Sequence, residues 1–223
     1  MAEALRMAIV GAESTGKTTL AAALAARLAQ ERNTRVAWVP ELLREWCAHA
    51  GRTPLAHEQA SIMRAQHERV LAASETHDIV VCDTTALMTA VYSRLVFGDR
   101  SLDVRAVALH RGVAITLLTA LDLPWVADGH QRDGPQVRGP VDQALRDMMD
   151  VHGIAYAVVG GSGQARLDNA MAAAAPLLRA RGASAGETPA GGLFTRLGPG
   201  SGPRRWACEC CVPEYERALR RPR

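Results

Sequence analysis

Residues 6–18 read Arg-Met-Ala-Ile-Val-Gly-Ala-Glu-Ser-Thr-Gly-Lys-Thr. An apolar run, 6–10, stops at Gly11, and an Ala- and Leu-rich helical pattern opens at Lys17 and runs to residue 31. Between strand and helix lies Gly11-x-x-x-x-Gly16-Lys17-Thr18, the spacing of a phosphate-binding loop in the context that loop requires. Glycines let the backbone turn so that successive N–H groups point inward as an anion nest. The positive end of the following helix adds to it. Lys17 is placed to reach β- and γ-phosphates, and the Thr18 hydroxyl to ligate Mg²⁺. The competing reading is a chance match in an ordinary strand-to-helix turn. Composition weighs against it. Of 26 basic residues, 25 are arginine and one, Lys17, is lysine. Arginine is a wide planar fork and lysine a compact ammonium, so a chain this biased toward arginine has kept lysine where the fork does not fit.

Beyond this stretch, further strands are expected at 35–39, 77–83, 113–120 and 156–159. Helices are expected at 41–50, 55–76, 85–96, 102–111, 140–152 and 164–181. The run 77–83 (HDIVVCD) is continuously apolar at its centre, as a strand buried on both faces would be. Strands alternating with helices imply an α/β fold, a parallel sheet covered on both faces. From about residue 182 the chain turns Gly/Pro/Ser-rich, the composition of a flexible linker. Residues 1–182 are therefore read as a nucleotide-binding domain of the P-loop type. Residues 183–223 are read as a linker with a basic, cysteine-containing tail.

At 223 residues with 48% hydrophobic content, the chain can bury one sizeable core. No apolar run approaches the ~20 residues of a membrane span, and the start, with Glu3, is no secretory signal. Five cysteines without framework spacing point to reduced thiols and a cytoplasmic protein. Residues 1–178 hold 17 Lys+Arg against 19 Asp+Glu, and residues 179–223 hold 9 against 4. The positive surplus sits in the tail, so no nucleic-acid footprint covers the domain. Membrane and nucleic-acid partners are not expected, and the sequence leaves room for a homo-oligomer. The seven histidines show no metal-ligand spacing and mostly read as surface residues. Cys208, Cys210 and Cys211 could grip a metal but lack a clear fourth ligand.

Phosphoryl transfer needs a metal and a group that orients the nucleophile. Asp83 ends the third strand, at the sheet edge where ligands gather. It can hold Mg²⁺, directly or through water, or touch the acceptor; alternatively it caps the next helix. Glu41 follows the second strand, with Arg44 one helical turn on. Its carboxylate can accept a hydroxyl proton, or simply favour a helix N-terminus. The polar segment 124–138 carries Arg132 and Arg138, which suit a lid that neutralises phosphate charge, or are incidental to a solvated loop. Trp125 is either a stacking surface for a ring or core. The nucleotide site is expected to comprise Gly11, Glu13, Ser14, Thr15, Gly16, Lys17, Thr18 and Thr19, with Thr18 and Asp83 on the metal.

Taken in order, residues 11–18, Glu41-x-x-Arg44-Glu45, Cys82-Asp83-Thr84-Thr85 and Pro124-Trp125-Val126-x-Asp128-Gly129 resemble the nicotinamide riboside kinase domain of NadR-type proteins. The resemblance covers about residues 5–180. It implies a P-loop kinase fold with a five-stranded parallel sheet, ATP, Mg²⁺, and phosphorylation of a ribosyl 5′-hydroxyl to give nicotinamide mononucleotide. By the same resemblance, Glu41, Arg44, Asp83, Trp125 and Asp128 line or support the acceptor site. Pro40 stands where the family tends to carry an aromatic, and Asp83-Thr84-Thr85 where it has Asp-Thr-Asp. The resulting expectation is an ATP- and Mg²⁺-dependent kinase acting on a nucleoside-like alcohol, with Lys17, Glu41, Asp83, Arg132 and Arg138 carrying the chemistry. The alternative is a P-loop ATPase working as a switch or partner-binding module. A GTPase version lacks the Asn-Lys-x-Asp base reader, since Lys17 is the only lysine.

Overall fold

A computed structural model of the chain describes residues 3–32, 34–126 and 134–182. Chain order is β1 (Leu5–Val10), α1 (Lys17–Arg32), β2 (Val36–Val39), α2 (Leu42–Ala50), α3 (Ala56–Thr76), β3 (Ile79–Asp83), α4 (Ala86–Phe97), α5 (Asp103–His110), β4 (Ile115–Thr119), α6 (Arg138–Val151), β5 (Tyr156–Val159) and α7 (Gly163–Gly182). All five strands are parallel, in the order β2-β3-β1-β4-β5. This is the α/β architecture expected from the sequence, with each element within a few residues of its expected place.

Side chains of a strand alternate between faces, and here both faces are apolar. Met7 and Ile9 of β1 pack with Leu20, Leu24 and Leu28 of α1 and with Ala170, Ala174 and Leu178 of α7. Val10 turns the other way, into a cluster with Leu87 and Val91 of α4 and Leu145 and Met149 of α6. Val80 and Cys82 of β3 join Ala37, Val39 and Val70 in a third cluster. Each fully buried aliphatic side chain stabilises the fold by about 1.5–3 kcal/mol. These two-sided contacts explain why the strands read as continuous apolar runs rather than alternating ones.

The strand order places the candidate site. The chain leaves β1 for β2 on one side, then returns past β1 to β4 on the other. The connections therefore diverge at β1, and such a switch point opens a crevice at the carboxyl ends of the strands. The phosphate loop leaves β1 at that edge. Ile9 lies opposite Asp83 of β3, and Val10 opposite Leu118 of β4. Asp83 thus flanks the loop on one side and Thr119 on the other.

Candidate active site

The loop holds three positive φ angles: Gly11 at 149°, Ser14 at 56° and Gly16 at 76°. At Gly11 the requirement is also steric. A Cβ there would lie 2.0 Å from Thr119 Oγ1, so only glycine lets β4 approach. The Thr15 hydroxyl donates to the Ala12 carbonyl at 2.7 Å and meets Thr119 Oγ1 at 2.6 Å. Ser14 is tied to the segment after β4: Val126 N–H donates to its Oγ at 2.8 Å, and its hydroxyl donates back to the Val126 carbonyl at 3.2 Å. The Lys17 side chain is 9% exposed and folds back over the loop, its Nζ donating to the Ala12 carbonyl at 2.8 Å. Three positive φ angles ahead of a helix, with one ammonium folded over them, are the features an oligophosphate site would need.

Two cavities meet at this loop. One, of about 460 Å³, runs along Ser14–Thr19 and is lined also by Leu123, Pro124 and Val126. The other, of about 310 Å³, lies between the loop, the α2–α3 connection and the end of α4. Its walls carry Glu13, Glu41 and Gln59 together with Leu55, Tyr92, Val96 and Phe97. Lys17 and Arg44 line both cavities. One chamber is therefore lined by the loop and the start of α1, the other by carboxylates and apolar side chains, and Lys17 and Arg44 are common to both.

Asp83 is fully buried, and neither carboxylate oxygen has a hydrogen-bond partner. Helix α4 has Thr85 at its N-cap position, so Asp83 does not cap it. Burial pushes the Asp83 carboxyl above its ordinary range. The Thr18 hydroxyl, which faces it without closing a hydrogen bond, and the charges of Lys17 and Arg44 oppose that shift. An orphaned buried carboxylate beside a hydroxyl and an oligophosphate cradle fits Mg²⁺, a hard cation bound through one or two protein oxygens plus phosphates. Among the described residues no cluster of three or more His, Cys, Asp or Glu could hold a metal by itself. Thr84, next in sequence, has φ 69°, a left-handed backbone that costs a β-branched residue about 1–2 kcal/mol.

Glu41 ends the extended segment after β2, its side chain 13% exposed and its Oε2 3.9 Å from Arg44 Nε. Its pKa is raised by burial first, then by Asp83 and Glu13, against the pull of Lys17 and Arg44. Glu41 makes no side-chain cap to α2. Its backbone is held from α3 instead: Gln66 Oε1 accepts from Leu42 N–H at 2.6 Å and its Nε2 donates to the Pro40 carbonyl at 3.3 Å. The α2–α3 turn that walls the cavity is locked by a two-point Arg52–Glu58 pair at 2.7 Å, which with Leu55 N–H holds the Glu58 carboxyl down to about 2.

The structure brings Lys17, Glu13, Glu41 and Arg44 to one cavity wall, with Asp83 and Thr18 beside them. Trp125 lines neither chamber, although Pro124 and Val126 on either side of it do. Arg138 opens α6, is 9% exposed, and leaves Nε and Nη2 without partners, but it too lines neither chamber. Arg132 and Asp128 lie outside the described residues, as do Cys208, Cys210 and Cys211. Sequence reading missed Gln59 and Gln66. Both sit on the buried stripe of α3 with Ile62, Met63 and Val70, and two amides on an otherwise apolar helical face were the available signal. It also missed Thr119 and Arg166, which only the strand order brings to the loop. His110, one of the seven histidines expected mostly at the surface, is buried between Thr85 and Thr116.

The fold and the loop define a P-loop nucleotide-binding class of kinase-like architecture. Residues 6–166 match the family described as AAA domain, and the chain belongs to that family. No curated protein sequence matches. Two solved structures of NadR share the fold. The complex with NAD and AMP-PNP is 18% identical, with a TM-score of 0.60 over 83% of this chain and 51% of that one. The complex with NR is 18% identical, with a TM-score of 0.59 over 76% and 49%. The chain thus spans about half the length of the NadR chains it matches. Thymidylate kinase from Ehrlichia chaffeensis is 17% identical, with a TM-score of 0.51 over 81% of this chain and 100% of its own. No helix among the described residues is long and apolar enough to cross a membrane.

Proposed function

We propose that the protein transfers the γ-phosphoryl group of ATP to a nucleoside-like alcohol, with nicotinamide riboside as the leading acceptor. The observation that carries this reading is the pair of chambers joined at Lys17 and Arg44. A switch ATPase needs the phosphate chamber alone, whereas a kinase needs a second, walled chamber opening on the same phosphates. The NadR relatives of the fold, solved with NAD and AMP-PNP and with NR, support the nucleotide and the acceptor.

On this reading the amides of Gly11–Thr18 and Lys17 hold the β- and γ-phosphates. Thr18 and Asp83 would hold Mg²⁺, whose charge offsets that of the phosphate oxygens when bound. The acceptor sits in the smaller chamber, its ring against Tyr92 and Phe97 and its hydroxyl toward Glu41. The hydroxyl oxygen bonds to the γ-phosphorus as the bond to the bridging oxygen breaks, ADP leaves, and the hydroxyl proton passes to Glu41. A carboxylate with a raised pKa suits that task. Arg44, which lines both chambers, supplies positive charge to the transferring group; Arg132, before α6, and Arg138, its first residue, are the further candidates for that role.

The deciding experiment is a nucleoside panel with ATP·Mg²⁺, following ADP release and phosphorylated product. The expected result is ADP release stimulated by nicotinamide riboside with formation of its 5′-phosphate. Stimulation by another nucleoside only would replace the acceptor. ATP hydrolysis indifferent to every nucleoside would favour the switch.

A further inference from the structure

Arg166, in the first turn of α7, is 3% exposed yet reaches three backbone carbonyls and one carboxylate. Its Nη1 donates to the Thr15 carbonyl in the phosphate loop. Its Nε donates to the Gly161 carbonyl at 2.7 Å. Its Nη2 pairs with Asp122 Oδ1 and approaches the Ala120 carbonyl at 3.5 Å. The other Asp122 oxygen accepts from Gly161 N–H at 2.5 Å, so the carboxylate and the guanidinium brace each other.

A purely architectural arginine would tie α7 to the sheet. This one holds the middle of the loop as well. A trans peptide is planar, so its C=O and N–H point in opposite directions. With the Thr15 carbonyl drawn back to Arg166, the N–H of Gly16 points away from Arg166, and Gly16 lines the chamber along Ser14–Thr19. A peptide flanked by glycine turns over readily, because glycine has little conformational preference. Turned over, this one would present a carbonyl oxygen to a phosphate, replacing attraction by repulsion.

We infer that Arg166 is a positioning residue for oligophosphate binding: it fixes the Thr15–Gly16 peptide with its N–H toward the β-phosphate, and Asp122 holds it there. The inference rests on the reading that loop 11–18 binds a nucleotide, and it is independent of the acceptor.

The test measures dissociation constants of ADP and AMP, with Mg²⁺, by competition against a fluorescent ADP analogue on the full chain. Thermal unfolding is followed in parallel. Arg166→Ala should weaken ADP about tenfold or more, the scale of a lost charge-oriented contact, while AMP, which lacks a β-phosphate, changes much less. Arg166→Lys should recover part of the loss, since an ammonium reaches one carbonyl but cannot fork to four partners. Asp122→Asn, at a carboxylate 40% exposed, should fold normally and weaken ADP by a smaller factor. Wild-type ADP affinity in folded Arg166→Ala, or equal losses for ADP and AMP, would overturn the inference. If Arg166→Ala does not fold, unchanged ADP affinity in both Arg166→Lys and Asp122→Asn would do so. Wild-type protein that binds no ADP would overturn the nucleotide reading itself, and the inference with it. Wild-type protein that binds ADP but phosphorylates no nucleoside would remove only the acceptor assignment.

Discussion

Replacing Lys17 by alanine removes the only ammonium among the chain's 26 Lys and Arg side chains. Its Nζ donates to the Ala12 carbonyl at 2.8 Å, a neutral acceptor that phosphate oxygens can replace. Lys17→Ala should lower ATP turnover by at least about a hundredfold, the scale of losing one preorganised charge-stabilising donor. Its melting temperature should stay within a few degrees of wild type. Lys17→Arg should not rescue turnover, because the fork is too wide for a side chain 9% exposed. Full steady-state activity in either variant would remove the assigned role. Glu41 makes a second prediction at this scale. Its raised pKa means that it takes up a proton at a pH above the ordinary glutamate range. Turnover should therefore fall on acidification earlier than for an exposed carboxylate, and Glu41→Gln should lose most of kcat and that limb of the pH profile. A Glu41→Gln profile identical to wild type would show that the base lies elsewhere.

The loop depends on elements that hold it from both sides. Gly11 and Thr119 bring β1 and β4 together at a distance that excludes a methyl group, since an added Cβ would stand 2.0 Å from Thr119 Oγ1. Gly11→Ala should cost about 3 kcal/mol in urea unfolding, the range of an overpacked core site. Adding Thr119→Ala should return part of it, because the clashing oxygen is gone. Additive losses in the double variant would show that the contact is not the cause. Helix α5 is fastened by a buried histidine. His110 Nδ1 meets Thr85 Oγ1 at 3.1 Å and Nε2 meets Thr116 Oγ1 at 2.8 Å. Burial lowers its pKa to about 4. Unfolded histidine takes up a proton near pH 6.5 and the folded one only near 4, so between these values the unfolded state binds more protons. Stability should therefore be full above pH 6.5 and fall toward pH 4, by about 3 kcal/mol in all. His110→Gln should flatten that part of the stability–pH curve. An unchanged slope would assign the effect to other groups.

For the whole molecule, the switch point at β1 decides where chemistry can happen. It sets Asp83, Thr119 and the loop at one sheet edge, and α2, α3 and α4 wall the second chamber around them. Among the described residues, the three core clusters draw on positions from Ala4 to Leu178. A chain ending at Arg181 should accordingly keep nucleotide affinity and turnover within about twofold of the full chain, roughly the scatter of a neutral change. A dead truncation would show that residues 182–223 belong to the active unit.

The phosphate loop, the strand and helix periods and the solitary lysine were legible because each is a local property: a spacing, an alternation, a count. Asp83 and Glu41 could be placed near the loop because strand ends in a parallel sheet share one edge. What local pattern does not carry is which strands are neighbours. Thr119 and Arg166 lie 104 and 151 positions from Thr15, and their hold on the loop exists only because β4 pairs with β1 and α7 packs beside it. Gln66 supports Glu41 for the same kind of reason, across the angle between two helices. The one-dimensional chain set which groups can bind phosphate. The three-dimensional packing set the direction in which they point, because orientation is fixed by contacts between segments remote in sequence.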